Sequence, residues 1–417
     1  MSYRFVKVSN YYPEYLADYY ARNPRVSTQT YEKQLDALLK DGFGWSDFYL
    51  NGLRKLGVDS HEIVLNALPL EKAWIKENLS QRSELPKFEI NDERALLIEH
   101  LKALKPDVVM IQDPFRYYGA FIEQLKKEVP SIKKILGWCA VPFNEEHLRQ
   151  FATFDFMLTC TPEFPPLFAK AGIPMFQVNH GFEKTILSRI EQPPKYDTDF
   201  IFLGSLVPGA GMHNFRIQML GELLEQREIA LKVYGTMSYA SPIKLPLRQL
   251  AYLGAQGIKK AGLGHYFEKT PILNKALRWQ QMPKLPKYPK KLSQVLRPPV
   301  YGLEMFRVLS RSKIGFNIHI DVAGKSAANI RLFEVTGVGS CLLTDHKDNL
   351  KEYFEIDKEV VTYRSLPECV EKVKWLLDHP KEREAIALAG QTRCLKDHNF
   401  EVRSQQLDSV IRAQLHV

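Results

Sequence analysis

Arg331 and Glu334 stand three residues apart in the stretch NIRLFEVTG, with Asn329, Ser326 and Lys325 just before them. At that spacing both charged side chains fall on one face of a helix. A guanidinium presents a planar fork of donors that suits a phosphate or diphosphate. A carboxylate only accepts hydrogen bonds, so it suits two neighbouring hydroxyls such as those of a ribose. Backbone N–H groups over Ser326 to Asn329, at the positive end of the helix dipole, would add to anion capture, with Lys325 as a further cation. The same residues also fit an ordinary surface ion pair on a glycine-capped helix.

Those groups need elements to hold them. Ile314 to Ile320 is an apolar, β-branched run that predicts a buried strand. Gly324, Lys325 and Ser326 read as a loop, and Ile330, Phe333 and Gly337 fall on one helical face. Gly337 and Gly339 then stop the helix, and Cys341 to Thr344 predict a second strand. Parallel α/β units of this kind bind ligands at the carboxyl ends of their strands. An upstream stretch, DFIFLGSLVPGAGMHNFRIQMLGELL, repeats the pattern: a strand ending in Gly204-Ser205, a glycine loop, and a helix from near His213. Backbone N–H groups at Gly204 and Ser205 would face a diphosphate, with Arg216 as its charge partner.

The motif NIRLFEVTGVGSCLLTD, with the later PKEREAIALAGQTRCLKDHNFEVRSQQL, resembles the group 1 glycosyltransferases of the GT-B fold, in particular their spore-maturation (CgeB-like) branch. The resemblance is clearest over Asp199 to Gly235 and Val300 to Leu407. It implies that Glu334 binds the ribose of a nucleotide diphosphate-sugar donor, UDP- or GDP-linked, and that Gly339 lets the chain pass close to that donor. It further implies an acceptor held by the first domain and a C-terminal helix returning to it. Many relatives carry a second glutamate where this chain has Ser326, which leaves the sugar-contacting role unfilled and puts a retaining mechanism in doubt.

The first half carries strand signals every twenty to thirty residues, as in a parallel sheet covered on both faces. GFGWSDFYLNGLRK places Asp47 ahead of a helix over Phe48 to Leu56, where it fits an N-cap; the resemblance, which puts the acceptor in this half, implies a general base toward an acceptor hydroxyl instead. Asp113 and Asn144 follow two strands, at the edge where this architecture works, and both also fit turns. His180, in MFQVNHGFEK, ends the last strand of this half and is either structural or directed to the cleft.

Composition is that of a globular protein, 45% hydrophobic and 25% charged over 417 residues, a length that predicts two domains. The expected division is 1–190, a linker over 191–199, a nucleotide-sugar domain over 200–395, and a helix over 396–417 that packs back. The Asp197-Thr198-Asp199 triplet reads as polar residues entering a strand, and neither a metal nor a cofactor is expected. Residues 236–299 hold 12 Lys and Arg against the single acid Glu268, within a chain of net charge +9. This basic insertion suits an anionic membrane surface, or only props up its domain; nucleic acid is disfavoured because no binding fold accompanies it. The five cysteines, Cys139, Cys160, Cys341, Cys369 and Cys394, are scattered and read as reduced thiols. With neither an export signal nor an apolar run of membrane-spanning length, the expected location is cytoplasmic, peripheral at the inner face of the membrane if the insertion binds there.

The sequence thus predicts an α/β GT-B enzyme: two Rossmann-like parallel-sheet domains facing a cleft, moving a sugar from a nucleotide diphosphate-sugar to a glycan, glycolipid or other acceptor. A polyanion-binding protein that has lost transfer activity, and a nucleotide-sugar epimerase or hydrolase, are the alternatives.

Overall fold

The computed structural model describes residues 2–80, 92–191, 196–237, 243–261, 276–277 and 282–416. Two parallel sheets organise the chain. The first contains β1 (Arg4–Ser9), β2 (Asp59–Val64), β3 (Val108–Ile111), β4 (Lys134–Trp138), β5 (Phe156–Thr159) and β6 (Met175–Gln177), in the order β2-β1-β3-β4-β5-β6. The second contains β7 (Thr198–Leu206), β8 (Leu231–Met237), β9 (Ser312–Asn317), β10 (Cys341–Asp345) and β11 (Val361–Tyr363), in the order β11-β10-β9-β7-β8. All their pairings are parallel, so every strand within a sheet ends on the same edge.

The central strands are buried on both faces, which is why VVMI of β3 and CLLTD of β10 read as continuous apolar runs without alternation. Even charged residues are enclosed in the first sheet. Lys7 of β1 and Glu62 of β2 are directly opposite partners, 3.0 Å apart, with side chains fully buried. Ser9 Oγ lies 2.5 Å from Glu62 Oε1, and burial still pushes that carboxyl up to about 7 although Lys7 draws it down. Short polar side chains set several helix starts: Asp92 accepts from Ala95 N–H, and Asn399 from Val402 N–H. Asn144 forms a capping box with His147, so its place at the sheet edge is that of a cap.

The chain crosses between the domains twice, side by side. Phe182 N–H donates to the His398 carbonyl and Phe400 N–H to the Phe182 carbonyl. After the second crossing the helix Phe400–Leu415 lies on the helix Phe48–Lys55 of the first domain. Phe400 meets Phe48 and Tyr49 with ring centroids 5.1 and 5.0 Å apart, and Ser404 Oγ donates to the Tyr49 carbonyl. Only glycine fits at position 52, because a Cβ there would come within 2.2 Å of Ser404 Oγ. Leu407 and Ile411 bury the apolar face expected of this helix.

Strand limits differ from the sequence reading where a loop was expected inside an element. β7 runs through Gly204 and Ser205 to Leu206, paired with β8. β6 stops at Gln177, three residues before His180. Of the expected linker, residues 192–195 lie outside the described residues, and Thr198–Asp199 already belongs to β7. Asp199 pairs with Lys313 across 2.6 Å, so the charge of this acid is matched within the sheet.

Candidate active site

At the carboxyl edge of the second sheet, β9 and β10 deliver a connected set of polar side chains. Asn317 Nδ2 donates to Thr344 Oγ1 at 2.9 Å, and Asn329 Nδ2 donates to Asn317 Oδ1 at 2.8 Å. Asn329 Oδ1 in turn accepts from the N–H of Arg331, the first residue of the helix Arg331–Gly337. Next to them His319 Nδ1 stands 2.7 Å from Asp345 Oδ1, with Lys347 3.3 Å from the other oxygen. Burial alone would raise the Asp345 carboxyl, but His319 and Lys347 overrule it and hold it down at about 2. His319 Nε2 is buried without a hydrogen-bond partner.

Arg331 and Glu334 share one helix face, as their spacing requires, but the pair is not a surface one. Nη1 lies 2.8 Å from Oε2, with side chains 14% and 7% exposed. Glu334 Oε2 accepts no aligned hydrogen bond, and burial raises the carboxyl, Arg331 opposing only in part. A buried carboxylate with unfilled acceptor capacity is costly to keep.

Other expected donor contacts are corrected by the tertiary structure. The helix begins at Arg331, not at Ser326, so Ser326 to Asn329 form an extended approach and offer no helix N-terminus. Ser326 N–H bonds the Ala323 carbonyl, and Ala327 N–H bonds Asn349 Oδ1. Lys325 is exposed and makes no ion pair among the described residues. Arg216 is occupied: Nη1 donates to the Ser205 carbonyl at 2.8 Å, and Nη2 and Nε donate to that of Ile318 at 2.6 and 3.2 Å. Its guanidinium therefore staples the end of β7 to the segment after β9, and burial lowers its pKa to about 10. Gly204 and Ser205 are strand residues, with the Ser205 carbonyl spent on that staple. Gly339 lies ahead of β10, at the edge away from the site. Its φ of +87° and the Gln391 amide, 3.0 Å from where a Cβ would sit, explain the glycine as a helix-ending turn beneath the helix Pro380–Asp397.

The first domain opens a cleft of about 580 Å³ at its own carboxyl edge. Asn10, Asn66 and Asp113 stand just past β1, β2 and β3 and line it, with Tyr12, Glu93 and Arg116. This is the switch point of the strand order, where open parallel sheets form crevices. Asp113 accepts from Phe115 N–H through Oδ1, so it is both the expected turn former and a cleft residue, and burial raises its carboxyl. Asp47 holds the N-cap position of its helix, yet makes no capping bond and does not line the cleft.

His180 lies on the first crossing, its ring between Trp45 and Trp138 with centroids 5.6 and 5.5 Å away. Trp45 Nε1 donates to Nδ1 at 3.3 Å, which places the ring proton on Nε2. Burial, helped by Arg403, depresses its pKa to about 3, so the imidazole is neutral and Nε2–H is a donor.

The domains meet along a seam in front of the Arg331 helix. Ser326 Oγ donates to Glu163 Oε1 at 2.5 Å, and Cys160 Sγ to the Ala328 carbonyl at 3.2 Å. Gly211 packs on Pro142, where a Cβ would come within 3.1 Å. Of these participants, sequence reasoning missed Asn317, His319, Asp345 and Glu163. The first three were findable, since Asn317 and His319 are the polar residues of the predicted strand 314–320 and Asp345 follows the predicted strand 341–344; Glu163 carried no local signal.

Residues 219–409 match the family described as glycosyl transferase-like. No curated protein matches the chain. Among solved structures, a glycosyltransferase from Rickettsia africae ESF-5 superposes with a TM-score of 0.54 at 9% identity, covering 99% of each chain. Anabaena Alr3699/HepE in complex with UDP and glucose gives 0.55 at 9% identity, covering 99% of this chain and 100% of that one. Sucrose-phosphate synthase from Thermosynechococcus elongatus gives 0.50 at 10% identity and 99% of each. At such identities the likeness shows the fold: two parallel-sheet domains in the GT-B arrangement.

Proposed function

We propose that the chain is a glycosyltransferase that moves a sugar from a nucleotide diphosphate-sugar to a hydroxyl of a glycan or glycolipid. The observation that carries this reading is the buried Glu334 carboxylate in the helix Arg331–Gly337, whose Oε2 is ion-paired with Arg331 but accepts no aligned hydrogen bond. The ribose hydroxyls of a donor would supply the missing donors, and Arg331 would turn from Glu334 to the diphosphate. Asn329 and His319 line the same edge and would complete the donor pocket, with Lys325 at its rim. Charge on the departing diphosphate would then be met by side-chain cations, without a metal. The Anabaena neighbour was crystallised with UDP and glucose, which supports a hexosyl donor of the UDP class.

The acceptor would occupy the first-domain cleft, with Asp113 preferred over Asp47 as the base because it lines that cavity. His180 would donate from Nε2 to the transferred sugar and could not serve as the base, its lone pair being taken up by Trp45. Since Ser326 and Ala328 close against the first domain, donor entry would require the domains to part about the paired crossings at Phe182 and Asn399. The NIRLFEVTGVGSCLLTD motif supports placing the chain in the spore-maturation branch, with domain limits near 190 and 200 and a cytoplasmic site of action.

Titration calorimetry with UDP and GDP tests the reading. Wild-type protein should bind one of them, and Glu334→Ala should lose at least about tenfold in affinity, about 1.4 kcal/mol, while melting within a few degrees of wild type. Absence of nucleotide binding at millimolar concentration, or a Glu334→Ala variant that unfolds with its affinity intact, overturns it. Donor turnover without any acceptor would assign a hydrolase or epimerase instead.

A further inference from the structure

The helix Leu245–Lys260 wears its apolar residues on the outside. Ile243, Leu247, Leu250 and Leu253 are 91, 66, 66 and 54% exposed, whereas its one buried residue is Ala255. Within the helix, Leu247, Leu250, Leu253, Gly254 and Gly257 fall at spacings of three and four and form one continuous outward stripe, with Ile243 just ahead of it. No charge interrupts it. Lys244, Arg248, Lys259 and Lys260 lie beside or behind the stripe and make no ion pair among the described residues. Opposite the stripe, Gln249 donates to the Pro283 carbonyl, tying the helix to a segment that exposes Met282 and Leu285 beside Lys284 and Lys287.

An exposed leucine stripe flanked by unpaired cations is stable against one kind of neighbour, an apolar layer under a negatively charged surface. We infer that this helix lies in the plane of a bilayer containing anionic lipid, with Leu247, Leu250 and Leu253 in the acyl boundary and the lysines among the headgroups. Sixteen residues span about 24 Å as a helix, and no described helix is long and apolar enough to cross a membrane, so the contact is parallel to the surface. Charge complementarity selects the lipid: the stretch 236–299 carries 12 cations and one acid, while the rest of the chain is slightly acidic. The helix follows β8 in the chain. This inference does not depend on the transfer reaction.

Co-sedimentation of the full chain with phosphatidylcholine vesicles, with and without about one third phosphatidylglycerol, tests it. The protein should pellet with the anionic vesicles only. Leu247→Asp with Leu250→Asp should reduce partitioning at least about tenfold at an unchanged melting temperature, because both side chains are exposed. Lys259→Gln with Lys260→Gln should weaken it by roughly the same factor and flatten its salt dependence. The inference fails if neutral vesicles bind equally, if neither vesicle binds, or if the leucine variant binds as wild type. It also fails if wild type forms a dimer that Leu250→Asp dissolves, since the stripe would then be a contact between copies.

Discussion

Ser326 of the second domain donates its hydroxyl to Glu163 of the first across 2.5 Å, directly in front of the Arg331 helix. The site predicted from one domain alone is thus roofed by the other, and this bond is one of the contacts that hold the roof down. Ser326→Ala and Glu163→Ala each remove it, so the double variant should lose less stability than the sum of the single ones, with a coupling of about 0.5–1.5 kcal/mol in denaturant titrations. Strict additivity would show that the bond contributes nothing. In stopped-flow fluorescence, nucleotide association should be faster in either variant than in wild type.

Lys7 and Glu62 are fully buried opposite one another on β1 and β2. Glu62→Leu strands the lysine charge and should cost about 3–5 kcal/mol, whereas Lys7→Met with Glu62→Leu together should recover most of it. Urea unfolding of the three proteins checks this. A double variant as unstable as the single one would mean that Ser9, whose Oγ lies 2.5 Å from Glu62 Oε1 and 2.7 Å from Gln112 Oε1, needs the pair in place.

Arg216 satisfies the carbonyls of Ser205 and Ile318. Arg216→Met should therefore destabilise the fold by roughly 2–4 kcal/mol through two unsatisfied buried acceptors, and Arg216→Lys should rescue little, since one ammonium cannot span both. A variant that melts like wild type but fails to bind nucleotide would restore Arg216 to the diphosphate.

His398 joins the crossings: Nδ1 accepts from Arg403 at 2.9 Å, so Nε2–H donates to the Tyr353 carbonyl at 2.7 Å. Burial lowers its pKa to about 4. Because the unfolded chain takes up the proton first, stability is complete above about pH 6.5 and is lost as pH falls toward 4. Between pH 8 and pH 5 wild type should lose about 2 kcal/mol more than His398→Asn, measured by chemical denaturation at each pH. Parallel losses would show that His398 is charged in the fold.

Much of this protein is written locally. Apolar runs such as VVMI and CLLTD can only be strands buried on both faces, glycines 337 and 339 must end a helix, and the spacing of Arg331 and Glu334 must put both on one face, because helix and strand periods act over a few residues. Those constraints determined the two parallel sheets and the edge at which a ligand would sit, while the returning C-terminal helix followed from the resemblance to GT-B enzymes. Tertiary packing decided which polar groups remain available there. Arg216 looks like a phosphate ligand until Ile318 meets it; Ser326 looks like part of an anion site until Glu163 bonds it; His180 looks free to face the cleft until Trp45 takes its lone pair. Each of these partners lies far away in sequence, and a hydrogen bond consumes a donor or acceptor without leaving any trace in the periodicity of either segment.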